Sequence, residues 1–225
     1  MFPRKAVLRL GRYDVAVRYR PAAERRLGGD WYDARLGADG SAVVVVGDVA
    51  GHGPRAAAAM VRICSALRGL SVTGLPAHWL LCCLNRLICS DECPERVASA
   101  VVCVLDQECP ALLWAQAGHP PPMLISGGAA RLLHPPRGQL LGSDPAAGYS
   151  LGSEDVTAGD ILLLYTDGLI ERRGQDITDG LDALLAAATG SPPATAAEAI
   201  DAILTRLALP PADDDICLVA IQVGR

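Results

Sequence analysis

Two aspartates in this chain sit where a hard cation or a phosphate is commonly held. Asp48 follows the apolar run Val43-Val44-Val45-Val46 and leads into Gly51-His52-Gly53, while Asp167 follows Ile161-Leu162-Leu163-Leu164 and precedes Gly168. A third acidic group, Asp213-Asp214-Asp215, opens the apolar run Ile216 to Val223. A carboxylate at the tip of a buried strand is a rigid oxygen ligand, and Mg²⁺ and Mn²⁺ take such ligands together with waters. Two such ions about 3.5–4 Å apart can clamp a phosphoryl group and lower the pKa of a shared water. That chemistry needs several carboxylates brought together from separate segments. Flanking glycines (Gly47, Gly51, Gly168) let backbone and substrate approach closely. Either strand tip alone reads equally well as an Asp-Gly turn, as Asp39-Gly40 does. Three acidic tips together favour a shared metal cradle.

Other catalytic schemes find no support. None of the eight cysteines is followed six positions later by the arginine of a cysteine-phosphatase loop. There is no Gly-x-Ser-x-Gly elbow, Walker loop or Gly-x-Gly-x-x-Gly fingerprint. The even cysteine count suggests disulfides, but such staples belong to small secreted domains. With no Cys-x-x-Cys pair for zinc, the cysteines are expected to be buried small hydrophobes.

The elements that must position the acids can be read from periodicity. Tyr13 to Tyr19 alternates as a half-buried strand, Asp30-Trp31-Tyr32-Asp33 leads a second, and Ala42 to Val49 is a third. Pro54 suits a first helical position, and Ala56 to Leu70 carries one apolar side through Met60, Ile63, Cys64 and Leu67. A second helix is expected over Pro76 to Cys89. Strands follow over Ala98 to Leu105, Ala111 to Ala117, Met123 to Ile125 and Ala130 to Leu133, then a loop over Pro135 to Gly152. Helices are expected over Leu181 to Ala188 and Ala194 to Leu209, with a last strand over Ile216 to Val223. Without regular strand-helix alternation a doubly wound parallel sheet is disfavoured. The pattern predicts an α+β sandwich of two mainly antiparallel sheets flanked by helices.

At 225 residues the chain suits a single domain over 1–225. Its net charge of −5 leaves no basic footprint for nucleic acid. Met1-Phe2-Pro3-Arg4-Lys5 does not open a signal peptide, and the apolar run Trp79 to Leu84 is too short to insert in a membrane. A cytoplasmic protein is expected.

Five motifs then fall in a familiar order: Gly28-Gly29-Asp30-Trp31-Tyr32-Asp33, Gly47-Asp48-Val49-Ala50-Gly51-His52-Gly53, Ala117-Gly118-His119-Pro120-Pro121-Pro122, Leu163 to Glu171 around Asp167, and Asp214-Asp215-Ile216. Over roughly 13–223 the chain resembles the bacterial SpoIIE/RsbU-type serine/threonine phosphatases, a branch of the protein phosphatase 2C (PPM) superfamily. The resemblance implies a protein phosphatase 2C-like α-β-β-α sandwich and two Mn²⁺ or Mg²⁺ ions. It implies that Asp48, Asp167 and Asp214 are catalytic. Asp48 would bridge both ions, with the Val49 carbonyl as a further ligand; Asp167 and Asp214 would bind one ion, and Asp30 would bind or order metal waters. Asp215, Asp33 and Gly168 would support the site. Asp213 is a spare in this alignment.

By the same resemblance, a metal-bridged hydroxide would attack phosphoserine or phosphothreonine on a regulatory protein, an anti-sigma-factor antagonist being the usual substrate. Relatives commonly carry a sensor domain ahead of the catalytic one, and this chain is expected to hold none. The first two helices are plausible surfaces for a regulator or a homodimer. His52 and His119 are read as structural. The alternative is a catalytically weak or inactive phosphoprotein-binding domain that needs a partner; Asp30, Asp48, Asp167 and Asp214 disfavour it.

Overall fold

The computed structural model describes residues 4–22, 28–90, 97–109, 111–172, 174–208 and 214–224. Its elements run β1 (Lys5–Leu10), β2 (Tyr13–Arg20), β3 (Trp31–Leu36), β4 (Ala42–Val49), α1 (Pro54–Ser71), α2 (Ala77–Ser90), β5 (Ala98–Leu105) and β6 (Ala111–Ala117). They continue with β7 (Met123–Ser126), β8 (Ala129–Leu132), β9 (Gly152–Asp155), β10 (Ile161–Tyr165), a single 3₁₀ turn (Asp167–Leu169), α3 (Ile177–Ala188), α4 (Ala196–Leu207) and β11 (Ile216–Val223). The strands form two sheets, ordered β3-β4-β5-β6-β9 and β1-β2-β11-β10-β7-β8, with every described pairing antiparallel. The α+β class with two antiparallel sheets and helices is the one expected.

One compact unit comprises Arg25–His119 and His134–Asp155. Its organising strand is β4, whose four consecutive valines are β-branched and fit a strand buried on both faces. Beside it, α1 starts with Pro54, whose missing N–H is no loss in a first turn. Ala56, Ala59, Ile63, Cys64 and Leu67 of α1 are buried, as are Leu80, Leu81, Leu84 and Ile88 of α2. Asn85 is fully buried because it ties down the segment before β9: its Nδ2 donates to the Asp144 carbonyl at 2.8 Å, and its Oδ1 accepts from Gly142 N at 2.8 Å.

The other unit comprises the segments Met1–Glu24, Pro120–Leu133 and Val156–Arg225. Ile161, Leu163 and Tyr165 of β10 alternate onto the face packed by Leu184 of α3 and Ala199, Ile200 and Ile203 of α4. Both helices start on a side-chain cap, Asp176 accepting from Thr178 N and Thr195 from Glu198 N.

Four differences from expectation have local causes. Strand β1 escapes notice because most of its side chains are exposed, so no apolar alternation marks it. Strand β9 has the sequence Gly-Ser-Glu-Asp, with no apolar residue, and is held by its ladder to β6. Gly180 lies inside α3 rather than before it, because a Cβ there would collide with the Ile170 carbonyl. Of the cysteines, Cys64, Cys103 and Cys217 are buried, but Cys82, Cys83 and Cys89 are half-buried and Cys109 is exposed; all seven are free thiols. Cys93 and Asp213 lie outside the described residues. Among the described residues, no helix is long and apolar enough to cross a membrane.

Tyr165 is 1% exposed, and its hydroxyl has no hydrogen-bond partner among the described residues. Burial drives its phenol pKa upward. A buried unpaired hydroxyl costs free energy, so Tyr165→Phe is expected to be neutral or to stabilise by about 1 kcal/mol. Leu163→Ala, in the same core, should cost about 2–5 kcal/mol. Urea unfolding reads both; a loss above about 1 kcal/mol in Tyr165→Phe would show that the hydroxyl has a partner.

Candidate functional site

The acidic residues fall into two sets, one in each unit. In the β3–β4 unit, Asp30 precedes β3 and is 3% exposed, while Asp48 is half-buried at the end of β4. Val49 N donates to the Gly29 carbonyl at 3.2 Å, and a Cβ on Gly29 would stand 2.6 Å from Asp48 Oδ1 and overlap the Val49 carbonyl oxygen. Only glycine allows a backbone this close to a carboxylate and a carbonyl. Gly29, the neighbour of Asp30 in the chain, thus lies against the Asp48 carboxylate and the Val49 carbonyl at the strand tip.

Asp33 does not join them. It pairs with Arg35 and, at 3.4 Å, with Arg68 of α1. It stands opposite Val45, three residues from Asp48, so strand alternation puts it on the other face of the sheet. It ties β3 to α1, and the expectation that it supports the acidic set is corrected.

In the other unit, Asp167 opens the 3₁₀ turn after β10, and its carbonyl accepts from Ile170 N and Glu171 N at 2.8 and 2.7 Å. The preceding Thr166 is fully buried and double-bonded to Cys217 of β11: its N donates to the Cys217 carbonyl at 3.1 Å, and its Oγ1 accepts from Cys217 N at 2.9 Å. Gly168 lies so close to β11 that a Cβ would overlap the Asp215 carbonyl oxygen and stand 3.5 Å from Asp214 Cβ. Burial first, then the charges of Asp214 and Glu171, push the Asp167 carboxyl above its ordinary pKa. Glu171, given no role by sequence reasoning, is thus part of this charge environment.

Asp214 is exposed and accepts from Asp215 N at 2.8 Å. Asp215 is 2% exposed; its two oxygens accept from Tyr19 OH at 3.0 Å and Ala22 N at 2.7 Å. Its carboxylate anchors the chain leaving β2, which is a supporting role.

Sequence reasoning passed over one polar group near Asp48. Ser99 is the β5 residue directly opposite Asp48, and its Oγ lies 2.8 Å from Nδ1 of the buried His119. The only sequence signal was His119 inside the Gly-His-Pro turn. His52, by contrast, is exposed.

The donor set fits a hard divalent cation in kind: carboxylates and a backbone carbonyl, with no soft ligand among them. Two observations agree with that fit, the glycine approach at Gly29 and the burial and neighbouring carboxylates that raise the Asp167 pKa. Among the described residues, no group of three or more His, Cys, Asp or Glu side chains is placed to hold an ion by itself. Asp30 and Asp48 belong to one unit, Asp167 and Asp214 to the other.

The sequence profile of the SpoIIE family (Stage II sporulation protein E) matches residues 38–224. Among solved structures, the chain is similar to the RsbU and RsbW domains of Rv1364c from Mycobacterium tuberculosis. That match has 35% identity and a TM-score of 0.82, and covers 94% of this chain and 61% of that one. It also resembles the PP2C phosphatase domain of SpoIIE from Bacillus subtilis, solved with a fragment of its regulatory domain, at 17% identity and TM-score 0.76, covering 94% of this chain and 64% of that one. A third match is RsbX in complex with magnesium, at 16% identity and TM-score 0.72, covering 98% and 100%. The last two likenesses show the fold alone.

Two outcomes follow from the site's geometry. Because folding raises the Asp167 pKa, the native state binds more protons than the unfolded chain above about pH 4, and stability falls as pH rises through the raised value. Asp167→Asn should therefore melt higher than the parent at pH 7 in EDTA, with the advantage gone at pH 3, where both states carry the proton. Equal melting temperatures at pH 7 would show that the charge crowding is absent in solution. For Gly29→Ala, a stability loss of about 1–3 kcal/mol is expected, and a smaller shift of melting temperature on adding Mn²⁺ than the parent shows under the same conditions. An unchanged Mn²⁺ response would detach Gly29 from the site.

Proposed function

The chain belongs to the SpoIIE family as a PP2C-type serine/threonine phosphatase domain, and we propose that it hydrolyses phosphoserine or phosphothreonine on a regulatory protein with bound Mn²⁺ or Mg²⁺. The observation that carries this reading is the pair of glycine approaches, Gly29 onto Asp48 and Val49, Gly168 onto Asp214 and Asp215. The first lies against the Asp48 carboxylate and the second against the backbone of Asp215, which supports the assignment of these segments to metal binding.

In this reading Asp48, Asp167 and Asp214, with the Val49 carbonyl, hold the ions, and Asp30 orders their waters. Bound divalent ions would supply water activation and neutralise charge on the phosphoryl group. The chain's own part is positioning. Gly29 holds Asp30 beside the end of β4, Thr166 locks the Asp167 turn to β11, and Asp215 anchors the start of β11 to Tyr19 and Ala22. Site glycines keep side chains out of the space between backbone and ligand groups.

The substrate proposed is a phosphorylated anti-sigma-factor antagonist, acting in the cytoplasm. It is supported by likeness to a chain that joins RsbU and RsbW domains, of which this chain spans about three-fifths. A second reading, a weakly active domain completed by a protein regulator or by homodimerisation, is favoured by one observation. No three metal-ligating side chains are grouped among the described residues.

Hydrolysis of an aryl phosphate tests the first reading. Turnover should require Mn²⁺ or Mg²⁺ and fall in Asp48→Asn and Asp167→Asn by more than the roughly 10–100-fold that loss of an outer-shell partner costs. Folding of each variant is checked by circular dichroism. A folded, Mn²⁺-binding parent without turnover would favour the second reading instead.

A further inference from the structure

Two buried polar side chains outside the acidic sets, His119 and Gln116, lie behind Ser99, the β5 partner of Asp48. Ser99 and Asp48 are direct partners in the β4–β5 ladder. Their side chains therefore leave the same face of the sheet, with Cβ atoms about 4.5–5.5 Å apart. Behind Ser99, at 2.8 Å, lies Nδ1 of His119, which is 4% exposed. The His119 carbonyl accepts from Nε2 of Gln116 at 3.0 Å, and Gln116 is itself 5% exposed. Pro120-Pro121-Pro122 follow directly, each with a fixed φ. A buried imidazole with a fixed backbone and one short contact presents a single orientation to Ser99. Burying these polar groups costs free energy unless their bonds are made.

We infer that His119 and Ser99 are positioning residues for Asp48. His119 carries its proton on Nδ1 and donates to Ser99 Oγ; the hydroxyl, having accepted that bond, turns its own proton toward the Asp48 carboxylate. Asp48 is thereby held in one rotamer with lone pairs left for cations, as outer-shell partners hold the ligands of other metal sites. Neither residue touches substrate. The inference rests on the metal-dependent reading above, since it concerns what the orientation of Asp48 serves.

The test uses the full chain and Mn²⁺ alone, with free Mn²⁺ counted by electron paramagnetic resonance. Ser99→Ala is expected to weaken Mn²⁺ affinity by about 10–100-fold, while the metal-free protein still folds but melts lower because the buried His119 N–H loses its acceptor. Ser99→Thr, which keeps the hydroxyl, should restore most of the affinity. His119→Asn, whose amide N–H can take the place of Nδ1–H, covers the case in which His119→Ala does not fold. The double variant Ser99→Ala/His119→Asn should be no worse than Ser99→Ala alone, because the two act in series. The ¹⁵N shifts of His119 should report the Nδ1–H tautomer.

Unchanged Mn²⁺ affinity in folded Ser99→Ala, losses that multiply in the double variant, or an Nε2–H tautomer would each overturn the proposal while leaving the phosphatase reading intact. A parent that binds no Mn²⁺ would sink both. A parent that binds Mn²⁺ without turnover removes the phosphatase reading alone, and the variants' affinities still decide this one.

Discussion

The ladder that holds β4 on both sides is the constraint from which the rest follows. Ala42 to Gly47 pair with β3 and Ala42 to Val49 with β5, so the acidic tip ends a strand with no free edge. Side chains alternate along a strand, and a slip of one residue would send Asp48 to the opposite face. There it would meet the helix side, where Asp33 is already paired with Arg35 and Arg68. Both faces of β4 are packed, so its valines alone do not set the register; the ladders to β3 and β5 and the Asp33 ion pairs on one face do.

The acids set a tension against that packing. Asp167 is half-buried, and its burial and the charges of Asp214 and Glu171 together raise its carboxyl pKa. Protein interiors tolerate such charge when it is paired or bound to a metal. The fold anchors the tip through hydrogen bonds: Thr166 with two to Cys217, Asp215 with Tyr19 and Ala22, and the Arg172 guanidinium on the carbonyls of Gly168 and Leu169. The tip is fixed mechanically and left strained electrostatically, the condition expected of a site that gains stability when a cation arrives.

Elements with strong periodicity were legible in the sequence. Ala42 to Val49, Ala98 to Leu105, Ala111 to Ala117 and Ile216 to Val223 were read to the residue, because each is a long apolar run. Strands β1 and β9 were not, since they are held by backbone pairing, which leaves no pattern in side chains. Gly180 was misleading for a related reason: its role is to admit the Ile170 carbonyl, a contact between segments. At the site, the acids and glycines were visible as motifs. The contact between Ser99 and His119 was not, because it depends on a register between β4, β5 and the turn after β6. Asp33 sat inside a motif yet faces the other way, which alternation from Trp31 could have shown.

The order of the six-stranded sheet, β1-β2-β11-β10-β7-β8, puts the last described strand in the middle. Ile216 to Val223 pair with β2 along their whole length on one side and with β10 on the other. Until that strand is in place, the sheet is two separate ribbons, β1-β2 and β10-β7-β8, each with an unpaired edge. During synthesis the β1-β2 hairpin must wait for nearly the whole chain before its partner emerges, and pairings this distant in sequence form slowly. The interval exposes apolar strand edges of the kind that chaperones bind and aggregates recruit. The same strand carries Asp214 and Asp215 at its head. Completion of the sheet and arrival of the final acids are therefore one event, and a nascent chain cannot acquire the second acidic set before that unit's sheet has closed.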